Sequence, residues 1–189
     1  MARAERALTL PPRTEHDDDP QIAALLSQTN AKLGMIPNMY RNMANAPGLL
    51  ETYLFGYDAF RSSSGFTPAE QETVLLAISV ENGCNYCVAA HSTIADMSKV
   101  PAAITDALRS GDALPDARLD ALASFTRAMV STRGLPTAAQ VQMFLGAGYG
   151  EDDILQILLA IAVKTISNYS NHLFHTDVDP AFAARTWKR

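Results

Sequence analysis

Apolar positions recur along this chain at helical spacing, and no stretch alternates as a strand would. QIAALLSQTNAKLG (21–34) puts Ile22, Leu25, Leu26 and Leu33 close to the i, i+3, i+4 pattern. MIPNMYRNMANAP predicts a short helix with Pro37 in its first turn and Pro47 ending the segment. PGLLETYLFGYDAFRSS then carries Leu50, Tyr53, Leu54, Tyr57 and Phe60 on one face. The next start is explicit. Thr67 caps, Pro68 suits the first helical position, and Glu70 completes a capping box. The helix that follows, PAEQETVLLAISVEN, is apolar on several sides and is expected at the centre of the molecule. Asn82-Gly83 stops it, and a new helix runs from about Cys84 to Met97. Pro101 opens another short helix, and Pro115-Asp116 opens a longer one reaching about Val130. Thr137 caps AAQVQMFLGAG, which stops at Gly148-Tyr149-Gly150. The last long helix, EDDILQILLAIAVKTISNYSNHLF, begins with three acids at its positive dipole end. With no βαβ pattern and no repeat at a fixed period, the prediction is all-α. A single helical domain is expected over 20–189, after an irregular lead-in over 1–19. The lead-in holds a proline pair and a solvated run from Asp17 to Asp19.

Composition narrows the function. The 189 residues carry a net charge of −5 with lysine and arginine scattered, so neither nucleic acid nor an anionic membrane is an expected partner. No segment has the length of a membrane span, and the N-terminus lacks the apolar region of a secretory signal. The expected location is the cytoplasm, where thiols stay reduced. No GxGxxG or Walker pattern points to a flavin or nucleotide, and no cofactor is expected.

The two cysteines of the chain lie together in ENGCNYCVAAHS (81–92). On one helix, Cys87 lies about 60° and His91 about 20° from Cys84, so all three share a face. Residues three apart have Cβ atoms roughly 5–6 Å apart, whereas a relaxed disulfide averages about 3.8 Å. A bridge here would form with local adjustment, and strained bridges are the reducible ones. So short a loop gives only about 2 kcal/mol by chain entropy, a poor structural clip. As a zinc site the set is three ligands, Cys84, Cys87 and His91, in need of a fourth such as Glu81 or His172. No second cysteine pair exists to supply it.

A redox site uses every part of the stretch. A helix N-terminus lowers the pKa of Cys84. His91, four residues after Cys87, is a candidate base for that thiol. A histidine base needs an acid to fix its tautomer, and Glu70, Glu72 and Glu81 are the candidates. The helix terminus favours Cys84 as nucleophile and the histidine favours Cys87, and spacing alone leaves both open.

The spaced set within TPAE…NGCNYCVAAH resembles the AhpD-like family, which includes alkylhydroperoxidase D and the carboxymuconolactone decarboxylases. The family's redox members carry a CxxC followed by three residues and a histidine, with a glutamate twelve residues before the first cysteine. Those positions are Cys84, Cys87, His91 and Glu72 here. PNMYRNMANAP and NYSNHLFHTDVDPAF extend the resemblance to the peroxidase-related branch, over about 20–185. The resemblance implies an all-α, AhpD-like helical bundle with the CxxC at the N-terminus of a central helix. It implies homo-oligomers, trimers or hexamers, and a thiol peroxidase that reduces a hydroperoxide. A dithiol of lipoyl type, or a redoxin, is the implied reductant. By the family's mapping, Cys87 attacks the peroxide, Cys84 resolves the sulfenic acid as a disulfide, and His91, oriented by Glu72, moves the proton. One departure is Tyr86, which stands where alkylhydroperoxidase D has a relay histidine. The decarboxylase branch lacks the cysteine pair, so decarboxylation is not expected.

Other residues have plainer readings. Glu72 is read as a first-turn residue with a dipole role available, and Glu81 as a solvated helix end or a substitute in the relay. Tyr86 reads as packing or as an orienting hydroxyl. His172 either lines the site or satisfies polar groups between helices, and His16 and His175 read as surface. Met35, Met39 and Met43 read as a core or interface stripe. The alternative to an enzyme is a zinc-binding or redox-sensing helical oligomer acting through Cys84 and Cys87.

Overall fold

The computed structural model describes residues 7–188, and the first six residues of the expected lead-in lie outside it. Among the described residues there are nine α-helices and no strand: α1 (Pro20–Leu33), α2 (Asn38–Met43), α3 (Pro47–Ser63), α4 (Pro68–Glu81), α5 (Asn85–Met97), α6 (Ala102–Ser110), α7 (Ala117–Ser131), α8 (Ala138–Gly146) and α9 (Glu151–Phe174). A 3-10 helix, Pro180–Arg185, follows. The fold is an all-α bundle, as the periodicity predicts. Residues 7–19 run without helix. The acidic run there is more than solvated charge. Asp17 pairs with Arg13, and Asp19 accepts from the backbone N–H of Gln21 and Ile22 as the cap of α1.

α4 sits at the centre because its sequence leaves no polar face. Residues 70–79 are all buried, and Leu75, Leu76 and Ile78 have no exposed surface. Truncating one of them to alanine would cost about 2–5 kcal/mol. The Thr67–Glu70 capping box forms as the sequence predicts. Pro37, expected in a first turn, is instead the cap residue before α2, and Cys84 likewise precedes α5 as its cap. Gly83 takes φ 66°, a left-handed value that glycine adopts without strain, and the chain there turns α5 back along α4.

Two apolar cores flank this helix pair. One joins α4, α6 and α7 with Phe144, Tyr149, Ile157 and Ala160. The other joins Ile22, Leu26, Met39, Met43, Leu50 and Tyr53 from α1–α3 to the cysteine face of α5. Of the methionine stripe, Met39 and Met43 are buried in this second core and Met35 is half-buried outside it. α9 crosses α3 closely at Gly56, where an added Cβ would stand 2.8 Å from Val163 Cγ2. This crossing sets the depth at which α9 presents the next residue, Lys164.

The C-terminal segment closes over α5. The Tyr86 hydroxyl donates to Asp179, and Phe182 packs edge-on against the Tyr86 ring. Asp179 also accepts from the Asn38 backbone N–H at 3.1 Å. Arg185 pairs with Asp96 and Asp106, and Trp187 Nε1 donates to the Arg109 carbonyl at 3.0 Å. No helix of the described residues is long and apolar enough to cross a membrane.

Candidate active site

Cys84 and Cys87 are both buried and both free thiols. Cys84 is the cap residue of α5 and makes no side-chain cap hydrogen bond. Cys87 lies in the first turn, so the helix dipole acts on both cysteines and does not single out Cys84. α9 runs beside them. Asn171 Nδ2 donates to Cys87 Sγ at 3.3 Å and lies 3.8 Å from Cys84 Sγ. Ser167 Oγ is 4.0 Å from Cys87 Sγ.

His91 is buried, with Nδ1 3.0 Å from Glu72 Oε2. The second Glu72 oxygen pairs with Arg61, whose guanidinium also donates to the Tyr57 hydroxyl at 2.7 Å and packs over that ring. Glu72 is in the second turn of α4, past the reach expected of a purely dipolar role. It is also the carboxylate that meets His91, whereas Glu81 stands at the far end of α4. Glu70, the third acid weighed from the sequence, faces away and is held by Thr67, Arg118 and Tyr149.

The electrostatics separate the two thiols. Burial pushes the Cys87 pKa up, but a hydrogen bond from Cys84 and the charge of Lys164 outweigh it, holding Cys87 well below the ordinary thiol value. The same hydrogen bond, together with burial, pushes Cys84 up. The pair therefore reads as a Cys84 thiol donating to a Cys87 thiolate. Burial and Lys164 push His91 down against the pull of Glu72. Burial pushes Glu72 up, but His91 and Arg61 hold it below its ordinary value. His91 is thus neutral, with Nδ1–H donated to a Glu72 carboxylate and Nε2 left as the basic nitrogen.

Two cavities reach the cysteines from different sides. One, of about 330 Å³, is lined by Cys87, His91 and Lys164 at one end and by Tyr57, Met39 and Phe182 among its apolar walls. A chain of rings, Tyr40, Tyr53, Tyr57 and His91, is spaced at 5.6, 5.6 and 6.3 Å between successive centroids. The other cavity, of about 180 Å³, is polar and is lined by Cys84, Asn171, His172, His175 and Thr176. Tyr86 borders both. His175, read as surface, is exposed yet lines this second mouth. No group of three or more His, Cys, Asp or Glu side chains among the described residues is arranged to hold a metal ion.

Arg61, Lys164, Ser167, Asn171 and Asp179 were not singled out as site residues by the sequence. For Ser167 and Asn171 the sequence holds a signal, since they stand four residues apart on one face of the last helix.

A buried dithiol thus stands beside a histidine–glutamate pair on an all-α bundle. Residues 48–122 match the carboxymuconolactone decarboxylase family. Comparison with curated proteins found no match. Solved structures share the fold. One is the alkylhydroperoxidase AhpD core of an uncharacterised peroxidase-related protein from Ralstonia eutropha JMP134 (TM-score 0.81, 21% identity, 95% of this chain and 96% of that one). A second is an uncharacterised peroxidase-related protein from Silicibacter sp. TM1040 (0.78, 21%, 97% and 96%). A third is a cysteine-to-alanine variant of the debrominase Bmp8 in complex with 2,3,4-tribromopyrrole (0.77, 18%, 96% and 97%).

Proposed function

We propose that the protein is a thiol-dependent peroxidase that reduces an organic hydroperoxide at Cys87. The observation that carries this reading is the placement of Cys87 and of His91, the latter held by Glu72, at the end of an apolar cavity. The Cys87 thiolate attacks the outer peroxide oxygen. An S–O bond forms, the O–O bond breaks, and the alkoxide takes a proton and leaves as an alcohol. Cys84 then attacks the Cys87 sulfenic acid, giving the disulfide and water, with His91, oriented by Glu72, moving the proton. An external dithiol returns the two electrons. Its attack at Cys84 expels Cys87, the thiol of lower pKa and the better leaving group. The separate polar cavity at Cys84 supports a second route of entry for that reductant. A homo-oligomer is part of the same proposal, supported by exposed Phe55, Leu155, Leu158, Tyr169 and Leu173 on α3 and α9.

One equivalent of cumene hydroperoxide, followed by thiol trapping and peptide mass mapping, tests the reading. The expected products are a Cys84–Cys87 disulfide in the unaltered protein and a sulfenic acid at Cys87 in Cys84→Ser. Two free thiols after treatment would overturn it. The aromatic walls of the cavity and the likeness to a debrominase favour one other reading on the same residues. In that reaction an aryl bromide and the two thiols give the arene, hydrogen bromide and the disulfide. Bromide release from a bromopyrrole, without peroxide consumption, would select it.

A further inference from the structure

Lys164 is the oddest residue in the molecule by position. It is a long cationic side chain with no exposed surface, and its Nζ has no hydrogen-bond partner of good geometry among the described residues. A buried ammonium is costly unless a counter-charge meets it, and the group on which Lys164 acts is Cys87. Lys164 is aimed at the chemistry. It lines the apolar cavity with Cys87 and His91, one helical turn from Ser167 and two from Asn171, both of which contact the Cys87 sulfur. The nearby Arg61 does not compete for this role, because its charge is engaged by Glu72.

We infer that Lys164 is a further catalytic residue, the counter-charge of the Cys87 thiolate and the proton donor to the alkoxide that leaves when Cys87 attacks a hydroperoxide. The inference rests on the peroxidase reading. Thiolate plus hydroperoxide gives sulfenic acid plus alkoxide, and the alkoxide takes one proton from the Lys164 ammonium. That proton returns when the dithiol reduces the disulfide and Cys87 departs as a thiolate. His91 is poorly suited to this donation, being held neutral with its Nδ1 proton committed to Glu72. Tyr86 is pushed up by burial and by Asp179 and stays neutral.

The groups facing Cys87 are few. On α5 they are Cys84, Tyr86 and His91, with Glu72 on α4 interacting through His91. From α2 and α3 come Tyr40, Tyr53 and Tyr57, all pushed up by burial and neutral. Lys164 acts on the sulfur by charge more strongly than His91, whose own protonated form is disfavoured by burial.

The test is the rate of Cys87 alkylation by iodoacetamide from pH 5 to 10, read by peptide mass mapping in a Cys84→Ser background. Peroxide is absent, so a failed peroxidase reading does not affect the result. Lys164→Met keeps the volume and removes the charge. Alkylation at pH 7 is expected to fall at least about tenfold, with its pH midpoint moving up toward the free-thiol range. Lys164→Arg is expected to keep the lower pH midpoint. An unchanged midpoint in Lys164→Met would overturn the inference.

Discussion

Glu70 and Glu72 stand two residues apart on one helix, both buried, and both meet an arginine. Their surroundings differ in one respect. Glu70 ends on groups that do not change charge near neutrality: the Thr67 hydroxyl and N–H, the Tyr149 hydroxyl and Arg118. Glu72 ends on a histidine whose other nitrogen can accept a proton. A rotation of about 200° along α4 therefore separates an acid that closes a helix end from one that tunes a base. Burial and charge pairing alone would have ranked the two alike. The titratable second neighbour distinguishes them.

The sharpest way to break this comparison is the matched pair Glu72→Gln and Glu70→Gln. Losing the Glu72 charge is expected to lower peroxide turnover by about 10²–10⁴-fold, the range for a disabled general base. A glutamine in place of Glu70 still completes the capping box, so that variant is expected to turn over at close to the unaltered rate and to lose about 1 kcal/mol of stability. Stopped-flow oxidation and urea unfolding of both variants measure this, and equal rate losses would erase the distinction. Acid unfolding gives the next largest effect. His91 is held below its ordinary 6.5, and Glu70 and Glu72 below their ordinary 4.5. In each window the unfolded chain binds more protons than the folded one. Stability present above each ordinary value is therefore lost as pH falls toward the folded value. The urea midpoint is expected to fall from about pH 6.5 downward, then more steeply below about 4.5, with each Gln variant flattening the lower limb. A midpoint constant from pH 7 to 4 would contradict these directions. The smallest effect is expected from Arg118→Ala. The Arg118 side chain is 52% exposed, so its pair with Glu70 should be worth less than about 1 kcal/mol, with no change in rate.

The parts of this site carried by one helix were readable in advance. The cap at Thr67, the stop at Asn82-Gly83 and the shared face of Cys84, Cys87 and His91 follow from spacings of three and four residues. The family resemblance supplied Glu72, and the structure puts it against His91. Spacing alone had left Glu70, Glu72 and Glu81 as equals, because which face of α4 meets α5 is set by the turn at Gly83. Arg61 and Lys164 were out of reach for a related reason. Each comes from a helix distant in sequence, and each is brought in by the close α3–α9 crossing at Gly56 and Val163. Lys164 was hidden further by its apolar neighbours, which make it look like a snorkelling residue on a surface helix.

Ala181 and Phe182 form part of the cavity wall, yet they belong to the short C-terminal segment and contribute nothing to the dithiol or its base. That segment is tied down by the Tyr86–Asp179 hydrogen bond within and by Arg185 and Trp187 at the surface. Selection can therefore widen, narrow or reshape the entrance through a handful of positions near the end of the chain. The helices that hold the reactive groups would stay as they are. Within such a family, relatives with the same reactive core and different tails are expected to differ in the molecules they admit before they differ in the chemistry they perform.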